Sequence, residues 1–145
     1  MIWGYFLALG AGVSFVFQQA VNSNLRAELG SPWWAVFVSY LGGTIVMLAV
    51  ALALREPANW AAAASQGRWL SWSGGAFGAI YIAVSIFLLP RFGAATVIGL
   101  IVAGQMLGSL AFDQFGLFGL QAQALTPLRV IGAALLVAGV VLIRI

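Results

Sequence analysis

Five long apolar runs, separated by short polar segments, constrain this chain more than any other feature. They cover residues 2–22, 33–54, 70–89, 93–113 and 127–144. At a rise of about 1.5 Å per residue, a helix of each length crosses a hydrocarbon core of about 30 Å. Because lipid offers no hydrogen-bond partners, a segment inside it must satisfy its own backbone groups, as a helix does. The runs therefore predict an all-α integral membrane protein with five transmembrane helices in a single domain, residues 1–145.

The composition excludes several other classes of protein. Hydrophobic residues make up 63% of the chain and charged residues 6%, whereas soluble domains carry about a quarter charged residues. The absence of cysteine excludes a disulfide scaffold. The six arginines are scattered singly, so no basic patch indicates a nucleic-acid partner. Membrane lipid is therefore the expected surrounding of the chain.

The ends of the runs carry recognisable signals. Ser31-Pro32 and Thr126-Pro127 each place a capping hydroxyl before a proline suited to a first helical turn. We expect Arg55-Glu56-Pro57 to end the second helix, and residues 89–93 to form a tight turn. Residues 58–66 suggest a short interfacial helix. Residues 114–126 fit either an interfacial loop or an extension of the fourth helix.

The arginine distribution bears on how the chain inserts. With five spans, the face that holds the N-terminus carries Arg55, Arg68 and Arg129, and the opposite face carries Arg26, Arg91 and Arg144. Because the two counts are equal, the positive-inside rule predicts no preferred orientation. We therefore expect insertion in both orientations and an antiparallel homodimer of ten helices, the inverted-repeat plan of secondary transporters built from two chains. A single orientation fixed by a partner or by sequence context is the alternative.

Polar residues inside the runs are the candidates for solute binding, because such groups are costly in lipid and usually face a bundle interior. Helical spacing groups Ser14, Gln18 and Asn22 on the first helix and Gln105, Ser109 and Asp113 on the fourth. The predicted substrate-binding residues are Ser14, Gln18, Asn22, Ser39, Tyr40, Tyr81 and Gln105, and Asp113 is the candidate for a coupling ion. The alternative is that these side chains only make hydrogen bonds between helices.

Small residues four apart allow helices to approach closely, and we assign dimer or helix packing to Gly74, Gly78, Gly104 and Gly108. In an inverted pair, Asp113 of one copy would reach the depth of Gln18 and Asn22 of the other.

Enzymatic chemistry has little support. The chain has no histidine or cysteine, and two of its three acids lie beside arginines in loops. We expect no catalytic site, metal or cofactor.

Several motifs resemble the YdcZ-type proteins, a five-helix branch of the drug/metabolite transporter superfamily that is similar in plan to small multidrug resistance exporters. The resemblance covers nearly the whole chain. It rests on residues 18–25, Ser31-Pro32, residues 39–43, 74–75, 78–81, 103–105 and 113–119. The resemblance implies a multi-pass transporter of the bacterial inner membrane that works as an inverted dimer, with Gln18, Asn22, Ser39, Gln105 and Asp113 at the motif positions.

The sequence thus favours a secondary transporter that exports a small metabolite or drug-like molecule by alternating access. A dual-topology channel for a small ion and a non-transporting accessory subunit are the alternatives. Small multidrug resistance exporters carry a carboxylate in the middle of their first helix, whereas this chain has Ser14 there. Without a central carboxylate to offset the loss of hydration, neutral or weakly polar solutes, or cations held by aromatic rings, fit better than strongly hydrated cations.

Overall fold

The computed structural model describes residues 2–66 and 69–144, and five helices in this part of the chain are long and apolar enough to span a membrane. They are α1 (Ile2–Leu29), α2 (Pro32–Leu54), α4 (Gly74–Phe92), α5 (Ala94–Phe115) and α6 (Pro127–Arg144). The short helix α3 (Trp60–Gln66) precedes a 3₁₀ turn at Trp69–Trp72, and a second such turn lies at Leu117–Gly119. The five predicted spanning helices are confirmed.

The capping signals act as predicted. The Ser31 hydroxyl accepts a hydrogen bond from the backbone N–H of Trp34 at 3.4 Å, and Pro32 occupies the first turn of α2. The Thr126 hydroxyl accepts one from the backbone N–H of Arg129 at 3.3 Å. At the other end of α2, Arg55 takes a left-handed conformation (φ +52°) that ends the helix.

Two predicted boundaries were wrong. Helix α1 continues to Leu29, beyond the end of its apolar run at residue 22, because the loss of hydrophobicity marks the edge of the lipid and leaves the helical hydrogen bonding intact. The tight turn predicted at residues 89–93 reduces to Gly93 (φ +78°), since α4 continues through Pro90 to Phe92. Residues 116–126 leave α5 through Gly116 (φ +58°) and form a loop with one 3₁₀ turn.

The described residues pack into two compact units, the first ending at Pro90 and the second beginning at Arg91; the single domain stays a prediction. The first unit has a small apolar core from α2 and α4, made of Ala35, Val36, Ile82, Ala83 and Ile86. In the second unit, α5 and α6 approach so closely at Gly99 that a Cβ there would lie 3.2 Å from Val140 Cγ2.

Most apolar side chains of the spanning helices point away from the chain. Only 6% to 22% of the residues in each spanning stretch are buried. In water such a surface would be strongly unfavourable, so these faces need lipid or another apolar surface to cover them.

Candidate functional site

One side of α1 carries a row of polar and aromatic residues that faces α4. Phe15, Gln19, Asn22 and Arg26 follow one another at spacings of four, three and four, which return to the same side of a helix each turn. Gln19 is 0% exposed and Asn22 is 3% exposed. Two fully buried amides in a spanning helix are costly unless they are hydrogen-bonded, so this face is the first candidate for a site.

Helix α4 supplies the opposing side chains. The ring of Phe15 stacks on the ring of Tyr81, with centroids 5.0 Å apart and planes inclined by 28°. Ser85 is completely buried, and its hydroxyl donates to the backbone carbonyl of Tyr81 at 2.9 Å. We define Gln19, Asn22, Tyr81 and Ser85 as the polar cluster. It lies within the first unit, next to the apolar core.

The polar cluster has more hydrogen-bonding capacity than the described residues satisfy. Both Nε2 and Oε1 of Gln19, Nδ2 of Asn22 and the Tyr81 hydroxyl are buried without a partner. The Tyr81 hydroxyl lies beside the Ser85 and Gln19 side chains, yet outside hydrogen-bonding geometry with either. More than nine in ten buried polar groups in proteins are paired. Four unpaired atoms in one place therefore indicate that water or a solute completes the cluster.

Arg26 is the last residue of this row and lies in the last turn of α1. Its Nη1 donates to the backbone carbonyl of Ile86 at 2.8 Å, and its guanidinium carbon lies 5.3 Å from the centre of the Phe87 ring. In a regular helix the Ile86 carbonyl would accept from the N–H of residue 90, but Pro90 has none. The guanidinium thus satisfies the carbonyl that proline leaves without its helical partner, and α4 continues past Pro90 to Phe92.

Arg26 also retains donor capacity. A guanidinium has five N–H donors, and one nitrogen is engaged by Ile86. Within residues 2–66 and 69–144, the ion pair that the structure contains joins Asp113 and Arg129, so no described carboxylate lies within 4 Å of Arg26. The charge of Arg26 therefore lacks a counter-ion among the described residues.

The second unit holds Asp113 in an ion pair. Arg129 Nη2 lies 3.0 Å from Asp113 Oδ2 and donates to Gln123 Oε1 at 2.8 Å. The backbone carbonyl of Asp113 accepts from the N–H of Gln123 at 2.7 Å, which ties the loop to the end of α5. Side-chain exposures are 33% for Arg129 and 28% for Asp113.

The predicted substrate-binding residues are spread over different environments. Asn22 belongs to the polar cluster, and so does Tyr81. Tyr40 is half-buried with its hydroxyl against Gly78. Ser39 is also half-buried, whereas Ser14, Gln18 and Gln105 are exposed on the single chain. Their role in binding stays a prediction, since a second copy or lipid would cover these outward faces.

The glycines assigned to packing differ in their surroundings. At Gly78 a side chain would collide with the Tyr40 hydroxyl, so only glycine fits without a shift. At Gly74, Gly104 and Gly108 a Cβ would meet no heavy atom within 4 Å. The last three are therefore not needed for close packing within the single chain, and their part in a dimer stays a prediction.

Three residues of the site lay outside the predicted binding set: Gln19, Ser85 and Arg26. The signal for Gln19 and Arg26 was the spacing of 15, 19, 22 and 26, which keeps an aromatic ring, two amides and a guanidinium on one face of α1. Ser85 lies four residues after Tyr81, one turn along α4. The competing row at 14, 18 and 22 drifts by about 80° over its length, because each step of four residues exceeds one turn by about 40°.

A groove of about 670 Å³ runs along α5 and α6 in the second unit. Its walls are almost entirely apolar and include Leu107, Phe115, Val130 and Val137. Gln114 also lines it, but its Oε1 already accepts from the backbone N–H of Leu125 at 2.7 Å. A polar solute would find few partners here, so the polar cluster of the first unit is the better candidate site.

Comparison with known proteins identifies the family. Residues 3–142 match the model of a family described as "Putative inner membrane exporter, YdcZ", the YdcZ branch of the drug/metabolite transporters. The chain belongs to the YdcZ family. It is also 28% identical over 131 residues to the inner membrane protein YdcZ of Escherichia coli strain K12, a match that covers 90% of this chain and 87% of that protein. No solved structure matches the chain.

Membership of the YdcZ family confirms the predicted resemblance and indicates which membrane the five helices span. The chain is a multi-pass protein of the inner membrane. The family is one of exporters, so its kind of function is transport rather than catalysis.

Proposed function

We propose that this chain is a secondary transporter that exports a small metabolite or drug-like molecule by alternating access, and that the polar cluster is part of its solute site. The observation that carries the proposal is the set of four buried polar atoms without partners on Gln19, Asn22 and Tyr81. A solute with donors and acceptors in matching places would satisfy them.

Packing between helices explains the cluster less well than solute binding does. Polar contacts that only hold helices together contribute about 0.6 kcal/mol each when they are made. A buried polar group left unpaired costs about 1–3 kcal/mol. An amide of Gln19 that served only to pack helices would carry this cost, whereas a bound solute with matching groups would remove it.

The proposed transporter is an inverted homodimer of two oppositely inserted copies. The even distribution of arginines over the two faces supports dual insertion. The largely unburied apolar faces of the spanning helices leave ample surface for a second copy. Two inverted copies would supply the two-fold symmetry that alternating access requires.

The test is uptake into liposomes that contain the purified protein, screened over a panel of metabolites with and without a proton gradient. We expect at least one solute to accumulate or exchange at a saturable rate. If the proton gradient drives it, Asp113→Asn should abolish the driven part, since Asp113 is the candidate carrier. Ion conductance without any saturable solute exchange would instead indicate a channel.

Gln19→Leu separates binding from packing. This variant removes both unpaired amide atoms, so we expect the melting temperature to stay equal or rise while the transport rate falls at least about tenfold. Gln121→Leu is the matched control, because Gln121 is an exposed loop residue, and should change neither quantity. Unchanged transport by Gln19→Leu would contradict a role in solute binding, and so would a joint loss of stability and transport.

A further inference from the structure

Along the row on α1, the side chains change from charged to polar to aromatic. The guanidinium of Arg26 comes first, the amides of Asn22 and Gln19 follow, and the stacked rings of Phe15 and Tyr81 come last. Seven residues separate Arg26 from Gln19, a distance of about 10 Å along the helix axis, and Phe15 lies four residues, about 6 Å, further on. Because the Tyr81 hydroxyl lies beside Gln19, a ligand that reached from Arg26 to Tyr81 would carry three different groups along about 10 Å.

Charge decides the class of ligand. The described residues place no carboxylate within 4 Å of Arg26, and the polar cluster itself contains only neutral groups. A cation bound along this row would face an uncompensated guanidinium, whereas an anion would gain charge-assisted hydrogen bonds from it. Neutral solutes, favoured by the sequence alone, would leave the charge of Arg26 unused.

We propose that the substrate is a small organic carboxylate about 10 Å long, with an amide-like middle and an aromatic or apolar end. The carboxylate binds the Arg26 nitrogens that Ile86 does not engage. The middle hydrogen-bonds to the unpaired atoms of Asn22 and Gln19, and the far end lies against the ring of Tyr81. This inference rests on the proposed transport function, because it names the substrate class of the same site.

The experiment uses three probes of equal size and different charge. N-benzoylglycine carries a carboxylate, N-benzoylglycinamide replaces it with a neutral amide, and N-(2-aminoethyl)benzamide replaces it with a cation. Initial uptake rates are measured in liposomes that contain the full chain. We expect the carboxylate to be transported about tenfold faster than the amide, as for the loss of one charge-assisted hydrogen bond, and the cation to be slowest.

Arg26→Gln is the critical variant, but it also removes the donor to the Ile86 carbonyl. We therefore measure it in a Pro90→Ala background, where the N–H of residue 90 can satisfy that carbonyl. Pro90→Ala alone should keep the preference for the carboxylate. Arg26→Gln with Pro90→Ala should abolish the preference, so that the ratio of the carboxylate rate to the amide rate falls to about one. Arg26→Lys in the same background retains the charge and should retain part of the preference.

The outcomes distinguish the two proposals. If the amide or the cation is transported at least as fast as the carboxylate, the carboxylate class is wrong, although transport itself stands. Transport of a neutral or cationic solute from the metabolite panel, without any of the three probes, would also overturn the carboxylate class. If no compound of either set is transported, the proposed function fails with it. A carboxylate preference that survives Arg26→Gln with Pro90→Ala would overturn the role of Arg26.

Discussion

At Gly78, helix α4 meets the end of one side chain from α2, the hydroxyl of Tyr40. A methyl group at Gly78 would collide with the Tyr40 hydroxyl, and the ring of Tyr40 packs against the apolar core. Tyr40 therefore has to move before any larger residue fits at position 78. The contact is specific, because the colliding atom is one oxygen at the end of the side chain.

Gly78→Ala should consequently destabilise the protein by about 1–3 kcal/mol, the usual cost of overpacking. Tyr40→Phe removes the colliding oxygen, so the double variant should recover most of the loss. The measurement is the thermal unfolding midpoint of the purified chain in detergent. Gly75→Ala, on the same helix with no heavy atom within 4 Å of the added Cβ, serves as the control and should be neutral or stabilising by up to about 1 kcal/mol. Equal midpoints for Gly78→Ala and the unmodified chain would contradict this account.

At the scale of the helices, the continuity of α4 past Pro90 depends on α1. Proline removes the N–H that would bond to the Ile86 carbonyl, and Arg26 from α1 supplies the replacement at 2.8 Å. The Phe87 ring beneath the guanidinium adds a cation–π contact. A local defect in one helix is thus compensated by a side chain from another, which couples the two helix ends.

This coupling predicts a non-additive pair of substitutions. Arg26→Gln alone should lower stability by about 1–3 kcal/mol, since it leaves a carbonyl unpaired in an apolar setting. In the Pro90→Ala background the same substitution should cost clearly less, because the helix then satisfies that carbonyl itself. A double-mutant cycle on thermal unfolding in detergent measures the difference. Additive effects would mean that Arg26 stabilises the protein in some other way.

The helices were largely predictable, because membrane spans follow from the length of apolar runs and from capping residues such as Ser31 and Thr126. The ends of the helices were less predictable. The apolar run stopped at residue 22, but helix α1 continues to Leu29 through polar residues. Pro90 predicted a break that α4 does not have, since the compensating Arg26 lies 64 positions earlier in the chain and no local pattern reveals it.

The candidate site was predicted only in part, for a geometric reason. Steps of four residues grouped Ser14, Gln18 and Asn22, while the buried side of α1 follows alternating steps of three and four. Asn22 lies close enough to both rows to belong to each, whereas Gln19 replaces Gln18 in the buried position. The choice between neighbouring glutamines depends on where α4 packs, which one helix cannot specify by itself.

At the scale of the whole molecule, the distribution of arginines bears on orientation in the membrane. Three arginines on each face give no preference, although Arg68 lies outside the described residues and Arg26 is engaged within the first unit. An extra positive charge on one face should therefore suffice to fix the orientation. The chain has no cysteine, so a single introduced thiol reports which face is outside.

Gln121→Cys provides that thiol in the exposed loop before α6. With a membrane-impermeant maleimide on intact cells, we expect about half of the molecules to be labelled, as the unbiased arginine count predicts. Ala58→Arg adds a positive charge to the same face and should lower the labelled fraction toward zero. Ala27→Arg adds one to the opposite face and should raise it toward one.

The two orientation-locked variants also test whether transport needs an inverted pair. Ala58→Arg and Ala27→Arg should each be inactive alone, because every copy then points the same way. Co-expression of the two should restore transport, since it supplies both orientations in one membrane. Uniform labelling of the Gln121→Cys chain, together with full transport by Ala58→Arg alone, would mean that the functional unit is a single orientation, and the inverted dimer would have to be abandoned.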